Sequence, residues 1–420
     1  MKYEDIQQHI KLSKKEKIVL AYSGGLDTSI LLKWLTEKNY EIYCLIADVG
    51  QSEDYAIVKQ KALACGAKDV KVVNLKEKLV EKYLFKALQA NAVYEGKYLL
   101  GTAISRPVIV KALADYAKEI GTKIIAHGAT GKGNDQIRFE QGLVKFIPDV
   151  SIVSPWKDPY FLDEFKGRKD MISYAQKKGI PIAVSLKKPY SIDENIIHTS
   201  YESGVLEDPK KAYDEDMFKM TCSPKDAPDK ETHISIEFNQ GIPIEVMNLE
   251  TKEKITGAVE ILNYLNNIGG KNAIGRTDIV ENRYVGLKSR GVYETPGYSI
   301  LLKAHLDIEG LTLDKELGHL KDMLMPKISE LIYNGLWFSP EMKCLWAFIE
   351  ESQKYVQGTV FISLYKGNII VKGRESKKSL YNEADSSMEE FGDINQEDSK
   401  GFIKINTLRL SYFSKVNGVD

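Results

Sequence analysis

The segment of this sequence with the clearest chemical meaning is Ser23-Gly24-Gly25-Leu26-Asp27-Thr28-Ser29, which lies between an apolar run and an amphipathic stretch. Its two glycines allow the backbone to approach an anion closely. The helix that starts here offers unpaired N–H groups and the positive end of its dipole, and Ser23, Thr28 and Ser29 add hydroxyl donors. The order of strand, glycine-rich turn and helix therefore predicts a phosphate-binding loop.

This loop differs from the common nucleotide-binding motifs. It lacks the G-x-x-x-x-G-K-[ST] pattern of the P-loop and the G-x-G-x-x-G pattern of dinucleotide-binding folds. It resembles the PP-loop of the ATP pyrophosphatases, and the resemblance implies that it holds the β,γ-pyrophosphate of ATP and leaves the α-phosphorus open to attack. An ordinary strand–helix turn is the alternative interpretation.

A second glycine-rich segment extends from His127 to Arg138 and carries the polar side chains of Thr130, Asn134 and Asp135. The guanidinium group of Arg138 is a planar fork that suits a carboxylate. We predict a binding loop here because the segment follows a predicted strand at the same end of the sheet as the first loop. A flexible surface loop is the alternative.

Two further positions carry weaker signals. Asp48 ends a predicted strand, where a carboxylate would either face the nucleotide and its metal or be exposed to solvent. Residues 279–296 combine charged and tyrosine side chains, of which Glu281 and Tyr293 have groups suited to an amide or urea. A half-buried strand with solvated charges explains part of this segment, so its spacing alone leaves both interpretations open.

The elements that must position these residues alternate between strand and helix through about residue 185. Such alternation with short connections predicts a parallel sheet covered on both faces, which binds ligands at the carboxyl ends of its strands. The predicted strands are 17–22, 41–47, 70–74, 123–127 and 150–153, and the predicted helices are 28–38, 53–65, 79–92, 107–120 and 163–178.

The pattern changes after Pro181. Residues 190–229 are polar and weakly periodic, and they predict a linker and binding loop. Hairpins are predicted at 232–249 and 358–372, and helices at 257–268, 313–336, 340–355 and 401–416. We therefore predict an α/β nucleotide-binding domain (1–185), an α+β substrate-binding and multimerisation domain (186–385) and a C-terminal arm (386–420) that reaches another subunit.

The composition is that of an ordinary globular protein, with 420 residues of which 43% are hydrophobic and 28% charged. A net charge of −1 provides no basic field for nucleic acid or an anionic membrane. The four cysteines form no C-x-x-C pair and the six histidines have no ligand spacing, so we expect no protein-bound metal and no disulfide framework. The polar N-terminal residues and the lack of a long apolar run predict a cytoplasmic protein.

Taken together, these segments resemble the argininosuccinate synthase family from about residue 17 to about residue 410. The resemblance rests on residues 21–29, 127–135, 199–202 with 206–209, and 278–296, and the other PP-loop enzymes share only the first of these. It implies a ligase that joins citrulline and aspartate while ATP is cleaved to AMP and pyrophosphate, through a citrullyl-adenylate. It further implies Mg²⁺ bound with the ATP and a homotetramer.

The resemblance also assigns site residues by position. It implies ATP contacts at Ala21, Tyr22, Ser23, Gly24, Gly25, Leu26, Asp27, Thr28, Ser29, Ala47 and Gly128. It implies aspartate contacts at Thr130, Asn134 and Asp135, and citrulline contacts at Tyr98, Asn134, Arg138, Ser191, Ser200, Glu281 and Tyr293.

Catalytic roles are expected for Asp27, Lys132 and Asp135. Asp135 would orient the aspartate amine or act as its base, and Lys132 would neutralise phosphate charge. One departure from the family concerns Ala103, since many members have a serine there whose hydroxyl can contact citrulline. We expect Tyr98 or neighbouring backbone to compensate.

Three other functions fit part of the pattern. A tRNA-modifying thiolase would need catalytic cysteines and a basic surface, and a glutamine-dependent synthetase would need a nucleophilic cysteine in an amidotransferase domain or partner. Neither feature is visible in the sequence. A non-catalytic adenine-nucleotide sensor would have no need for the polar cluster between Glu281 and Tyr293.

Overall fold

A parallel sheet forms the first part of the protein, which we describe from a computed structural model covering residues 15–181, 190–389 and 392–418. Its strands lie in the order β3-β2-β1-β4-β5 and all pair in parallel, as predicted. The order changes direction between β1 and β4, where such sheets bind ligands. The five strands are β1 Lys17–Ala21, β2 Glu41–Asp48, β3 Asp69–Asn74, β4 Ile124–Ala126 and β5 Ser151–Val153.

Both faces of this sheet are buried. Successive residues of a strand point to opposite faces, and in β1 the side chains of Ile18 and Leu20 enter one hydrophobic core while Val19 enters another. The covering helices are α1 Leu26–Glu37, α2 Tyr55–Ala64, α3 (76–89, with a π-helical turn at Val80–Leu84), α4 Gly101–Ile120, α5 Asp135–Phe146, α6 Pro159–Glu164 and α7 Arg168–Lys177.

Two helix predictions in this part were wrong at their boundaries. Helix α4 begins at Gly101, six residues before the predicted start, and contains Pro107 in its interior. The prediction began the helix at Pro107 because proline favours the first helical turn. The helix nevertheless extends back to Gly101, and its residues 101–105 are buried. The predicted helix 163–178 is two helices, because the backbone of Gly167 between them is extended.

The described residues of the remaining chain form two antiparallel sheets, in the orders β10-β9-β8-β13-β14 and β11-β12-β7-β6. The predicted hairpins are confirmed as β8–β9 and β13–β14. The strands are β6 Ser191–Glu194, β7 Thr199–Glu202, β8 Thr232–Asn239, β9 Ile242–Asn248, β10 Lys254–Thr256, β11 Arg276–Asn282, β12 Lys288–Glu294, β13 Gly358–Tyr365 and β14 Asn368–Glu375. The helices are α8 Ala258–Lys271, α9 Pro296–Thr312, α10 Lys315–Tyr333, α11 Pro340–Ser352, α12 Glu383–Ser386 and α13 Asp398–Asn417.

The prediction of a linker over residues 190–229 was wrong at its start. Strands β6 and β7 form there and pair with each other and with β12. Their turn is stabilised by the side chain of Asn195, whose Oδ1 accepts hydrogen bonds from the N–H groups of Ile197 and His198. Each of these strands has four residues, which are too few for a periodic signal in the sequence. The strand that pairs with β7, β12, lies far away in the sequence, so local patterns do not indicate the pairing.

A single hydrophobic core joins the two parts of the chain. It contains Val19 of β1 and Leu113 of α4 together with Ile300 of α9 and Ile332 of α10. This shared core holds β6, β7, β11 and β12 next to the carboxyl ends of the parallel strands. The predicted domain boundary between residues 185 and 186 lies outside the described residues, so the domain limits stay a prediction.

Candidate active site

Two cavities meet at the carboxyl ends of the parallel strands. The loop cavity, of about 300 Å³, is lined by residues of the loop between β1 and α1 and by the end of β2. The inner cavity, of about 350 Å³, is lined mainly by α4, by the segment from Gly128 to Arg138 and by the sheet of β6, β7, β11 and β12. Both cavities are lined by Arg106, Gly128, Ala129, Asp135 and Asp193.

The backbone of the first loop is held from behind by α2. Gly24 has a φ of +76°, and a Cβ there would lie 2.7 Å from Cγ1 of Val58. The Nζ of Lys61 donates to the carbonyl oxygen of Gly24 at 2.6 Å. Gly25, the N-cap of α1, provides no side-chain cap, which leaves the first N–H groups of the helix for a ligand.

Most of the residues expected to contact ATP lie at the loop cavity. The Oγ of Ser23 and the Oγ1 of Thr28 lie 3.1 Å apart, whereas Ser29 is buried and its hydroxyl donates to the carbonyl of Gly25 at 2.7 Å. Gly24, Gly25, Leu26 and Ser29 shape the loop without lining the cavity. Those that line it are Ala21, Tyr22, Ser23, Asp27, Thr28, Ala47 and Gly128.

Asp48 fits neither interpretation proposed from the sequence. It is buried and lines neither cavity. Its carboxylate accepts hydrogen bonds from the hydroxyl of Tyr55 at 2.9 Å and the N–H of Gly50 at 3.0 Å, and it pairs with Lys76. The carboxylate therefore organises the end of β2.

A network of charged side chains separates the two cavities. Asp135 accepts hydrogen bonds on Oδ2 from Nε and Nη2 of Arg106 (3.1 and 2.7 Å) and on Oδ1 from Nη1 of Arg138 (2.9 Å). Arg106 also donates to Oδ2 of Asp193 at 2.6 Å. Burial raises the pKa of Asp135, but the two guanidinium groups outweigh it and hold this pKa well below its usual range. Asp135 is thus an ionised carboxylate and a poor base.

The far wall of the inner cavity combines aromatic rings with a buried carboxylate. The hydroxyl of Tyr293 donates to Oε2 of Glu281 at 3.0 Å, and the ring of Tyr98 stacks on Tyr293 with centroids 4.4 Å apart. Burial raises the pKa of Glu281, an effect that the tyrosine hydrogen bonds and Arg138 only partly oppose.

The amide of Asn134 has a defined orientation. Its Oδ1 accepts from the backbone N–H of Tyr284 at 3.0 Å. The NH₂ group is consequently the part available to a ligand, and it can only donate. Asn134 therefore suits an acceptor such as a carboxylate.

The comparisons with known proteins agree with this geometry. Residues 17–181 match the model of the arginosuccinate synthase N-terminal HUP domain, and residues 190–413 match that of the arginosuccinate synthase C-terminal domain. The chain belongs to the argininosuccinate synthase family. An argininosuccinate synthase of Thermotoga sp. (strain RQ2) is 56% identical over 94% of this chain and 97% of its own. The argininosuccinate synthases of Danio rerio and Gallus gallus are each 48% identical to this chain over 96% of its length. The matches cover 98% of the Danio rerio protein and 97% of the Gallus gallus protein.

Membership of the argininosuccinate synthase family confirms the predicted family and the predicted ligase class. It decides against the thiolase, the glutamine-dependent synthetase and the nucleotide sensor. All the residues that we expected to contact aspartate or citrulline line the inner cavity. They are Tyr98, Thr130, Asn134, Asp135, Arg138, Ser191, Ser200, Glu281 and Tyr293.

Lys132 is the expected site residue that the structure separates from the others. Its side chain is exposed and lines neither cavity, and its carbonyl oxygen accepts from Nη1 of Arg283 at 3.1 Å. Ala103 is also outside the cavities because it is buried in the hydrophobic core. The neighbouring residue Thr102 lines the inner cavity instead.

Sequence reasoning missed six polar residues that line the inner cavity. Thr102 and Arg106 have the i, i+4 spacing of one helix face, and a correct start for α4 would have revealed them. The other four are Asp193, Glu202, Ser203 and Arg283, which lie on or beside two hairpins that the pairing of β7 with β12 joins.

A buried histidine, His198, contacts Thr102 of the inner cavity. The Nε2 of His198 lies 2.9 Å from Oγ1 of Thr102, and the side chain is 0% exposed. Burial, with the positive charges of Arg106 and Arg138, lowers the pKa of His198 to about 3. The imidazole is therefore neutral in the folded protein at physiological pH.

We expect the His198→Gln substitution to reduce the pH dependence of stability. Between pH 6.5 and about 3 the unfolded state binds a proton that folded His198 does not, so stability falls as the pH falls, by about 1.4 kcal/mol per pH unit. The difference in unfolding free energy between wild type and variant, measured by urea denaturation, should narrow from pH 6.5 to pH 4.5. The exposed His319 provides the control His319→Gln, and parallel curves for wild type and His198→Gln would contradict the prediction.

Proposed function

We propose that this chain joins citrulline and aspartate to give argininosuccinate, with ATP cleaved to AMP and pyrophosphate. The observation that carries the proposal is the wall of Arg106, Asp135 and Asp193 shared by the two cavities. A nucleotide in the loop cavity and an amino acid in the inner cavity would meet at this wall. Such contact is what attack of one bound substrate on another requires.

The loop cavity suits the phosphates of ATP. The uncapped start of α1 and the hydroxyls of Ser23 and Thr28 offer donors to the pyrophosphate, and Ala47 lines the same cavity at the end of β2. We propose these contacts, together with Gly128, as the ATP site.

Mg²⁺ would accompany the nucleotide. Among the described residues, no group of three or more histidine, cysteine, aspartate or glutamate side chains is arranged to hold a metal. Mg²⁺ is commonly bound by one or two carboxylates and substrate phosphates, and Asp27 at the loop cavity fits this donor set. The ion would neutralise charge on the departing pyrophosphate.

The inner cavity offers donors and acceptors for two amino acids. Asn134 and Arg138 can donate to carboxylates, and Glu281 can accept from N–H groups. We propose that Thr130, Asn134 and Asp135 bind aspartate. We propose that Tyr98, Asn134, Arg138, Ser191, Ser200, Glu281 and Tyr293 bind citrulline.

The chemistry would proceed in two displacements. The ureido oxygen of citrulline attacks the α-phosphorus of ATP, and a citrullyl-adenylate forms as pyrophosphate leaves. The aspartate amine then attacks the ureido carbon, the bond from this carbon to the AMP oxygen breaks, and the amine releases its proton to solvent as AMP leaves. Arg106 stabilises negative charge on the α-phosphate at the shared wall. Asp135 orients the amine, because its lowered pKa makes it a poor proton acceptor.

The proposal is tested by ATP–pyrophosphate exchange and by AMP formation. We expect exchange that depends on citrulline but not on aspartate, and net AMP formation only when both amino acids are present. AMP formation without citrulline, or none with all three substrates, would refute the proposed reaction.

We expect Asp135→Ala to abolish argininosuccinate formation while some ATP binding remains. The substitution leaves Arg106 and Arg138 without their shared carboxylate, and misplacement of such groups costs about 100-fold or more in rate. The control is Asp115→Ala, since Asp115 is an exposed residue paired with Lys111. Steady-state kinetics and equilibrium ATP binding are the measurements, and full activity of Asp135→Ala would disprove the role.

We also propose a cytoplasmic homotetramer that acts in arginine biosynthesis, with no nucleic-acid or membrane partner. Among the described helices, none has the length and apolar character needed to cross a bilayer. Helix α13 supports the proposal of an assembly, because none of its side chains is buried within the chain and large apolar groups on it are exposed. These include Phe402, Ile405 and Phe413, which are 68%, 70% and 66% exposed. Exposed apolar surface of this kind marks an interaction site.

Removal of residues 398–420 should therefore dissociate the tetramer. Sedimentation velocity should give a species smaller than the wild-type assembly, and the triple variant Phe402→Ser, Ile405→Ser, Phe413→Ser should behave in the same way. A control triple substitution of polar positions on α13 (Ser399, Asn406 and Ser411 to Ala) should leave the assembly intact. An unchanged tetramer without α13 would contradict the proposed arm.

A further inference from the structure

Tyr333, the last residue of α10, makes contacts that the reaction described above does not explain. It is fully buried and lines neither cavity. Its hydroxyl donates to Oε1 of Glu281 at 2.8 Å, and its carbonyl oxygen accepts from Nε of Arg138 at 2.8 Å. A single residue thus holds one acidic and one basic side chain of the inner cavity.

The ring of Tyr333 is fixed from several sides. It stacks on the ring of Tyr94, with centroids 3.7 Å apart and planes 6° from parallel. It also makes an edge-to-face contact with the ring of Tyr98, with centroids 6.1 Å apart. The guanidinium carbon of Arg138 lies 5.0 Å from its centre. The turn that follows α10 packs equally closely, because a Cβ on Gly335 would lie 2.7 Å from Cα of Arg138.

Both oxygens of Glu281 are consequently occupied by phenol hydroxyls, Oε1 by Tyr333 and Oε2 by Tyr293. Two donors in fixed directions prevent the carboxylate from rotating, and the remaining lone pairs keep one orientation. Tyr293 lines the inner cavity, whereas Tyr333 lines neither cavity and approaches Glu281 from behind the wall.

We propose that Tyr333 is a positioning residue for citrulline, which fixes the orientation of Glu281 and Arg138 from outside the cavity. The inference rests on the proposed function, since it takes citrulline as the ligand of these two side chains. The role belongs to α10, an element of the C-terminal half that supplies no side chain to either cavity.

The substitution Tyr333→Phe tests this role because it removes only the hydroxyl. The ring stacking on Tyr94 and the backbone bond to Arg138 remain. We expect the KM for citrulline to rise about 10-fold, whereas the KM values for ATP and aspartate stay within about 2-fold of wild type. The matched control is Tyr116→Phe, which removes a tyrosine–carboxylate bond to Asp69 far from the cavities.

A second readout separates positioning from general stability. The Tyr333 hydrogen bond lowers the pKa of Glu281, so its loss should raise that pKa. The acidic limb of the pH profile of kcat/KM for citrulline should then move to higher pH in Tyr333→Phe and not in Tyr116→Phe. A structural role alone would leave this limb in place.

Citrulline binding by calorimetry distinguishes the two proposals. Wild-type protein that binds no citrulline would overturn both the function and the positioning role. Wild-type binding with unchanged affinity and pH profile in Tyr333→Phe, or an equal rise in all three KM values, would overturn the positioning role alone. The variant Tyr94→Leu, which removes the ring on which Tyr333 stacks, should also weaken citrulline binding selectively, and an unchanged affinity would count against the proposal.

Discussion

The ion pairs that Asp135 makes with Arg106 and Arg138 are the interaction on which the rest of the site depends. Partly buried charges of this kind are stable only when they are paired and hydrogen-bonded, so the three side chains fix one another. They do so where the loop cavity and the inner cavity meet. Their geometry therefore determines the shape of the wall that the two cavities share.

The members of this network depend on several parts of the fold. Arg106 reaches it because α4 begins at Gly101, and Asp135 and Arg138 lie in the first turn of α5. Arg138 is in turn held by the carbonyl of Tyr333 at the end of α10. The wall shared by the two cavities thus requires both halves of the chain, and the shared hydrophobic core keeps them in place.

The parallel sheet and the loop that follows β1 were predictable because their signals are local. The loop is defined by a strand, two glycines and the first turn of a helix, all within a few residues. The strands that are buried on both faces are defined by continuous apolar runs. The sheet of β6, β7, β11 and β12 was only partly predictable. Its strands β6 and β7 are short and polar, and β7 is stabilised by pairing with a strand about ninety positions away.

The sequence by itself determined the family, the phosphate-binding loop and most of the residues expected to contact substrates, because these lie in motifs of contiguous residues. Only the tertiary structure decided that Asp48 organises a strand end, that Lys132 lies outside the cavities, that Asp193 lines both cavities and that Tyr333 donates to Glu281. The physical reason is that charge pairing and burial depend on neighbours distant in the chain. Those neighbours also lower the pKa of Asp135, and its carboxylate is therefore a poor base.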